Sequence, residues 1–539
     1  MYFMQTMVLA AWPCRLAMLL LILGIIYLFS FERARFSFPQ RGPTHAHTGR
    51  WEPSIQVPLV ATAVALLPVS GRVVLWAADR GATFGSDPTE LGRTVAAIFD
   101  PIAGSVSQLI VSSINHTMFC PGLSLDTTGH PIVTGGSSSD RTSIYDETIG
   151  SWIAGPAMTS GRGYHAQTTI SDGRVFTIGG SWSGRVGGKD GEIFDPPTNT
   201  WYRLPGCIAL PALTNDQGGS FYSDNHAWLF AWKGGSVFQA GPSMAMNWYG
   251  TAGSGSQASA GLRANDQDSM NGNAVMYDAT NGKILTLGGS TSYTSSFGTS
   301  DAHIITLTEP FTPPTVETIE PMSYRRVFAN SVVLPTGDVF VNGGNSWATQ
   351  WTDVNASWVP ELWSPRTRSF TSLKRMPIAR AYHSVAVLLP DATVLTGGGG
   401  LCWIACADPS ANHFDIQIFT PPYLFNRGGN SLATRPRILE VSESTVTAGT
   451  SLVILTDMEI NDFALVRYGS ATHSINTDQR RIALPPTRID GTTMKYQVKV
   501  PADTGIALPG YWMLFAINDN GVPSIANKIL IIQSSYEAL

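Results

Sequence analysis

Seven stretches of the chain repeat one pattern, a short apolar and largely β-branched run that ends in a small or glycine pair. They are RVVLWAA from Arg72, PIVTGG from Pro131, RVFTIGG from Arg174, SVFQAG from Ser236, KILTLGG from Lys283, DVFVNGG from Asp338 and TVLTGGG from Thr393. Runs this short, bounded by turn residues, read as strands, and no amphipathic helical stretch competes with them. Their recurrence at intervals of roughly fifty residues matches one four-stranded blade per repeat.

Several runs are followed by a second strand with a blade-like ending, as in SIYDETIGSWIAGP, GEIFDPPTNTWYRLP and ELWSPRTRSFTSL. A β-sandwich array or a β-helix would also give short strands at turn-rich intervals. The paired glycines, and a tryptophan at near-constant offset, favour a propeller. The expected fold is therefore all-β, a seven-bladed kelch-type β-propeller over residues 49–432. Beyond Ala433-Thr434-Arg435-Pro436 the glycine pairs stop and alternating strands follow (SLVILTD, FALVRYG, MKYQVKVP, YWMLFAIND, KILIIQ), which predicts an immunoglobulin-like β-sandwich over 433–539.

The N-terminal 1–48 differs. Leu16 to Phe31 is nearly unbroken apolar sequence, flanked by Arg15 and by Glu32, Arg33 and Arg35, and a polar tether follows. It reads as a signal peptide or an uncleaved signal anchor, so the protein is expected outside the cell, touching a membrane only if the segment is retained. The 539 residues carry 14% charged and 43% hydrophobic side chains, which excludes disorder. A formal charge of −5 without a basic run excludes nucleic acid as a partner. A monomer is expected. Cys402 and Cys406 bracket a short loop after a glycine run and are expected to form a local disulfide in an oxidising compartment. Asn115 and Asn355 head glycosylation sequons.

Among ten histidines, His383 stands beside Tyr382 where a blade strand begins, and His473 lies in VRYGSATHSINTDQRR of the C-terminal region. Neighbours on a strand point to opposite faces, so Tyr382 and His383 meet one metal only where the backbone turns. Singly, each histidine is as well explained by a structural hydrogen bond. Together, two imidazoles with phenol oxygens form an N,O set that favours tetragonal Cu(II) over zinc, magnesium or calcium.

At this point the chain resembles the copper-radical oxidase family typified by galactose oxidase. The resemblance runs from about Gly49 to Ile532 and is densest at HTMFCPGLSLD, GRGYHAQTTISDGRVFTIGGSWSG, SDNHAWLFAWKGGSVFQAGPSMAMNWY, AYHSVAVLLPD, HFDIQIFTPPYL and RYGSATHSINTDQRRI. It implies that Cys120 in MFCPG is bonded through sulfur to the ring of Tyr164 in RGY, with Trp182 stacked over the thioether. It implies Tyr164, Tyr382, His383 and His473 as copper ligands, the last supplied by the C-terminal domain. The cofactors implied are one copper and a tyrosyl radical on the Cys120-Tyr164 pair, and the reaction is oxidation of a primary alcohol to the aldehyde while O2 becomes hydrogen peroxide.

The substrate pocket departs from galactose oxidase. Tyr222, preceded by Phe221, replaces the sugar-binding arginine, Asn345 replaces a glutamine, Trp358 stands for a phenylalanine, and Phe84 keeps an aromatic wall. Losing the guanidinium fork removes a binder of vicinal hydroxyls and favours aryl or aliphatic primary alcohols. Retention of Trp182, with Trp347 and Trp351 available to stack on sugar faces, keeps galactose or a galactoside open as the substrate. No N-terminal carbohydrate-binding domain is expected before the propeller. A glyoxal oxidase and a non-catalytic kelch module that binds a glycan at the cell surface are the other readings. A degenerate binding module would be expected to lose a ligand or the cross-linking cysteine, and all are present.

Overall fold

A computed structural model describes residues 44–85, 92–403, 409–489 and 494–533. Seven antiparallel sheets follow one another between Arg50 and Thr420. Each of the seven repeated runs forms the second strand of its sheet, from Val73–Trp76 in the first blade to Val394–Gly398 in the seventh. Strands of this kind are buried on both faces, which is why they read as continuous apolar runs. The ring is closed by its own N-terminus. Arg50–Trp51 and Ile55–Gln56 pair with Asp415–Thr420, so the seventh blade is built from both ends of the propeller.

The glycine pairs have a steric cause. Gly179 and Gly180 lie at φ 80° and 91°, and a Cβ on Gly179 would stand 2.2 Å from the carbonyl oxygen of Asp224. Only glycine accepts both conditions. Beside three of these pairs sits a buried arginine. Arg162, Arg326 and Arg380 each donate to a glycine carbonyl at the end of the second strand, Gly179, Gly343 and Gly398 respectively. Each also pairs with a carboxylate on the third strand, Glu192, Glu361 or Asp415, at 2.8, 2.9 and 2.6 Å. The three ion pairs tie the entry of a blade to its second and third strands.

C-terminal to the propeller, two sheets form the sandwich. One joins Ile438–Val441, Ser451–Thr456, Lys495–Lys499 and Thr487–Arg488; the other joins Thr445–Thr447, Asn527–Ile532, Gly510–Ile517, Asp462–Arg467 and Arg481–Leu484. Between two strands of the second sheet the chain leaves the sandwich. Ser470–Thr472 pairs with Ala63–Leu66 and becomes an extra innermost strand of the first blade. The segment around it bonds inner strands of further blades: Thr477 donates to Gln167, Gln479 to Ser331, and Asn273 to Ser474. The propeller channel is thereby plugged by the sandwich, with His473 at the tip of the plug.

One buried histidine outside this channel sets an acid limit on stability. The Nε2–H of His116 donates to the Gly135 carbonyl at 2.8 Å, and the Ser143 hydroxyl lies 2.7 Å from Nδ1. Burial lowers its pKa to about 4. The unfolded chain binds this proton from about pH 6.5 downward and the native state does not, so stability present above pH 6.5 is lost as pH falls toward 4. At pH 5 the loss is roughly 2 kcal/mol. Urea midpoints measured on wild type and His116→Gln between pH 7 and 4.5 should converge on acidification.

Candidate copper centre

The channel mouth collects side chains from most of the blades. Cys120 precedes the inner strand of the second blade, Tyr164 that of the third, His226 that of the fourth, and Tyr382 and His383 that of the seventh. His473 arrives from the sandwich. Five of these residues are left-handed: Cys120 at φ 59°, Tyr164 at 62°, His226 at 54°, His383 at 67° and His473 at 50°. Each such residue costs about 1–3 kcal/mol and persists only where its surroundings enforce it. The left-handed turn at His383, one residue before the strand Ser384–Leu388, lets adjacent Tyr382 and His383 serve one centre.

The donor atoms converge. The hydroxyl oxygens of Tyr164 and Tyr382 are 2.5 Å apart. Sγ of Cys120 lies 3.4 Å from Nε2 of His473, and the ligating atoms of Cys120, His383 and His473 all fall within 4.8 Å of one another. Nδ1–H of His383 donates to the Gly400 carbonyl at 2.7 Å, which leaves its Nε2 buried, bare and without a partner. Nδ1 of His473 is held by the Thr472 hydroxyl at 2.7 Å. Each imidazole therefore has one nitrogen fixed by the protein and one turned inward, the arrangement of a metal ligand with its outer partner.

Burial sets the protonation of the site. It lowers His383 to about 3 and His473 well below its usual range, so both imidazoles are neutral with lone pairs available. It pushes the phenols of Tyr164 and Tyr382 and the thiol of Cys120 upward. The candidate ligands include no carboxylate, so a bound cation would be balanced by phenolate charge, which the cation itself promotes. Two neutral imidazole nitrogens and two phenol oxygens fit copper by chemistry as well as by geometry.

Around the donors stands an aromatic wall. Trp182 stacks on Tyr164 at 4.6 Å and 25°. Phe119 contacts the rings of Trp182, His383 and His473, and Phe84 lies 4.5 Å from Phe119. Trp351 reaches both Tyr382, at 6.0 Å, and Phe84, at 6.3 Å. Tyr222 is half-buried in the same cluster, and Phe221 meets it edge-on at the exposed rim.

Trp358 and Asn345, two of the expected pocket residues, make contacts of their own. The ring of Trp358 lies under the guanidinium of Arg375 at 4.5 Å; Trp351, seven positions earlier in the same loop, supplies the wall. Asn345 is fully buried and its amide donates to the carbonyls of Thr352 and Val354, so it shapes that loop. Cys402 is buried, while Cys406 lies outside the described residues, as does the apolar segment 16–31. Among the described residues no helix is long and apolar enough to cross a membrane.

Two members of the site have no counterpart in the sequence reading. The hydroxyl of Tyr293 lies 3.0 Å from that of Tyr382 and 3.1 Å from Nε2 of His226, which makes a buried chain Tyr382–Tyr293–His226. His226 falls within the SDNHAW stretch, and that motif was its only available signal.

Fold and site together define a metal-dependent oxidase assembled in a propeller channel. Family models agree: residues 435–531 match the galactose oxidase-like Early set domain, 212–423 the glyoxal oxidase N-terminus and 162–207 the kelch motif. The chain is 49% identical to a galactose oxidase of Gibberella zeae over 508 residues, 93% of this chain and 73% of that protein. An aldehyde oxidase of Vitis pseudoreticulata is 33% identical over 237 residues, 41% of this chain and 44% of its own length. Among solved structures, a fungal alcohol oxidase in complex with copper superposes with a TM-score of 0.85 at 42% identity, covering 90% of this chain and 99% of the other. The chain belongs to the galactose oxidase family of copper-radical alcohol oxidases.

Proposed function

We infer that this protein oxidises a broad range of primary alcohols, aryl and aliphatic in preference to galactose, to aldehydes while O2 is reduced to hydrogen peroxide. The observation that carries the reading is the bare, buried Nε2 of His383, whose ring stacks on Tyr382 at 3.9 Å, beside the paired phenols of Tyr164 and Tyr382. Tyr164, Tyr382, His383 and His473 would hold the copper. Copper supplies a one-electron redox partner and acidifies a hydroxyl bound to it.

The remaining work falls to the chain. Tyr382 takes the hydroxyl proton at its Oη, with Tyr293 and His226 standing behind it in a hydrogen-bonded line. Tyr164, linked through carbon to Cys120 Sγ and oxidised to a radical, removes hydrogen from the adjacent carbon. Sulfur substitution donates electron density to the ring, and Trp182 shields it. The aromatic wall of Phe84, Trp351, Trp182 and Tyr222 excludes water and packs against the organic part of the alcohol. Tyr222 offers a flat ring where a guanidinium would grip two hydroxyls, which supports the preference for less polar alcohols.

The functional unit we propose is the propeller 49–432 with the sandwich 433–539, exported by the segment 1–48, acting as a monomer and carrying a Cys402–Cys406 disulfide. A peroxide-coupled assay of copper-loaded protein against galactose, raffinose, benzyl alcohol, butanol and methylglyoxal tests the substrate reading. Benzyl alcohol and butanol should exceed galactose in kcat/KM by about tenfold or more, the difference one polar recognition group makes. A preference for galactose would overturn the substrate class and leave the copper chemistry in place.

A further inference from the structure

Three tyrosine rings lead from the buried radical site to the surface. Tyr293 lies parallel to Tyr164 at 5.8 Å and 11°, and Tyr222 lies parallel to Tyr293 at 4.6 Å and 12°. Tyr164 and Tyr293 are buried, Tyr222 is half-buried, and Phe221 beside it is 36% exposed. Near-parallel rings at such spacing favour single-electron transfer from one to the next. The middle ring has what a phenol needs to give up an electron, a base on its hydroxyl: Nε2 of His226 stands 3.1 Å from Tyr293 Oη.

The geometry points to Tyr222 and Tyr293 as an electron port, through which a one-electron oxidant in solution, such as hexacyanoferrate(III), regenerates the Tyr164 radical after it has been lost. This rests on the radical reading above. Tyr222 passes one electron to the oxidant, giving hexacyanoferrate(II), and its hydroxyl proton goes to water. Tyr293 re-reduces Tyr222, which recovers its proton from water, while the Tyr293 proton shifts to His226. The Tyr164 phenolate then re-reduces Tyr293, and the proton returns from His226. The net change is one electron from Tyr164, leaving a neutral phenoxyl radical, and one electron gained by the oxidant.

Copper-loaded full-length protein, reduced by one electron, is mixed with hexacyanoferrate(III), and radical formation is followed by its optical band and by electron paramagnetic resonance. The two-hydrogen mass deficit of the Cys120–Tyr164 peptide is checked first. Tyr222→Phe keeps the ring stack and removes the oxidisable hydroxyl; it should slow radical formation at least about tenfold. Tyr202→Phe, an exposed tyrosine on the outer strand of the third blade, should not change it. An intact mass deficit with Tyr222→Phe as fast as wild type overturns the port alone. A rate lowered by Trp182→Phe and not by Tyr222→Phe also overturns it, and assigns the exit to the indole. Absence of the mass deficit in wild type overturns the radical reading and the port with it.

Discussion

Cys120→Ser should abolish the thioether and lower kcat at least about a hundredfold while leaving copper stoichiometry intact. The prediction follows from where the sulfur sits. Cys120 is fully buried in a left-handed turn at φ 59°, its carbonyl accepts the Tyr164 N–H at 2.9 Å, and its Sγ lies 3.4 Å from His473 Nε2. Serine fits the same volume and still offers a hydrogen-bond donor, so the turn and the backbone bond survive. Its oxygen forms no bond to the ring, and Tyr164 stays an ordinary phenol that is harder to oxidise. The two nitrogen and two phenol donors are untouched. Mass spectrometry of the linked peptide, copper analysis and single-turnover rates on one preparation separate these effects. Normal turnover without the mass deficit would remove the radical from the mechanism.

The propeller was legible because its cause is local. A strand buried on both faces and ending in a small pair, in five of the blades glycines that take positive φ, leaves a similar mark in each blade, and the seven marks are the seven second strands. The sandwich strands were legible for the same reason. Ring closure by Arg50–Trp51 was not, since two residues carry no periodicity and pair with a strand far along the chain. Nor were the buried arginines, whose carboxylate partners lie about thirty residues away on another strand. In the site, residues inside dense motifs could be placed, whereas Tyr293 sits in a serine- and threonine-rich loop that carries no motif. Trp351 and Trp358 were both candidates for the pocket, and on similar ground the sequence could not rank them. A loop has no fixed alternation of faces, so which of several tryptophans turns inward depends on packing that only three dimensions supply.

Asp478→Ala should cost about 3–5 kcal/mol of stability and weaken copper binding, although the residue touches no ligand. Asp478 is fully buried at the base of the plug. Its carboxylate accepts from Arg467 at 2.7 Å, from the Ser470 hydroxyl at 2.5 Å and from the Leu125 N–H at 3.0 and 3.1 Å. Arg467 and Ser470 belong to the C-terminal segment and Leu125 to the second blade, so one carboxylate fastens the plug to the propeller. Its removal leaves the Arg467 guanidinium buried with only the carbonyls of Leu125 and Pro509, at 3.3 and 3.5 Å, and no counter-charge. That uncompensated cation is the source of the large penalty. His473 rides on the same segment, five residues away, and its position depends on that fastening. Guanidinium denaturation and copper titration of the variant are the measurements, with Asp478→Asn as the control that keeps the shape and part of the hydrogen bonding. A wild-type midpoint with wild-type copper affinity in Asp478→Ala would show that the sandwich holds His473 in place without this ion pair.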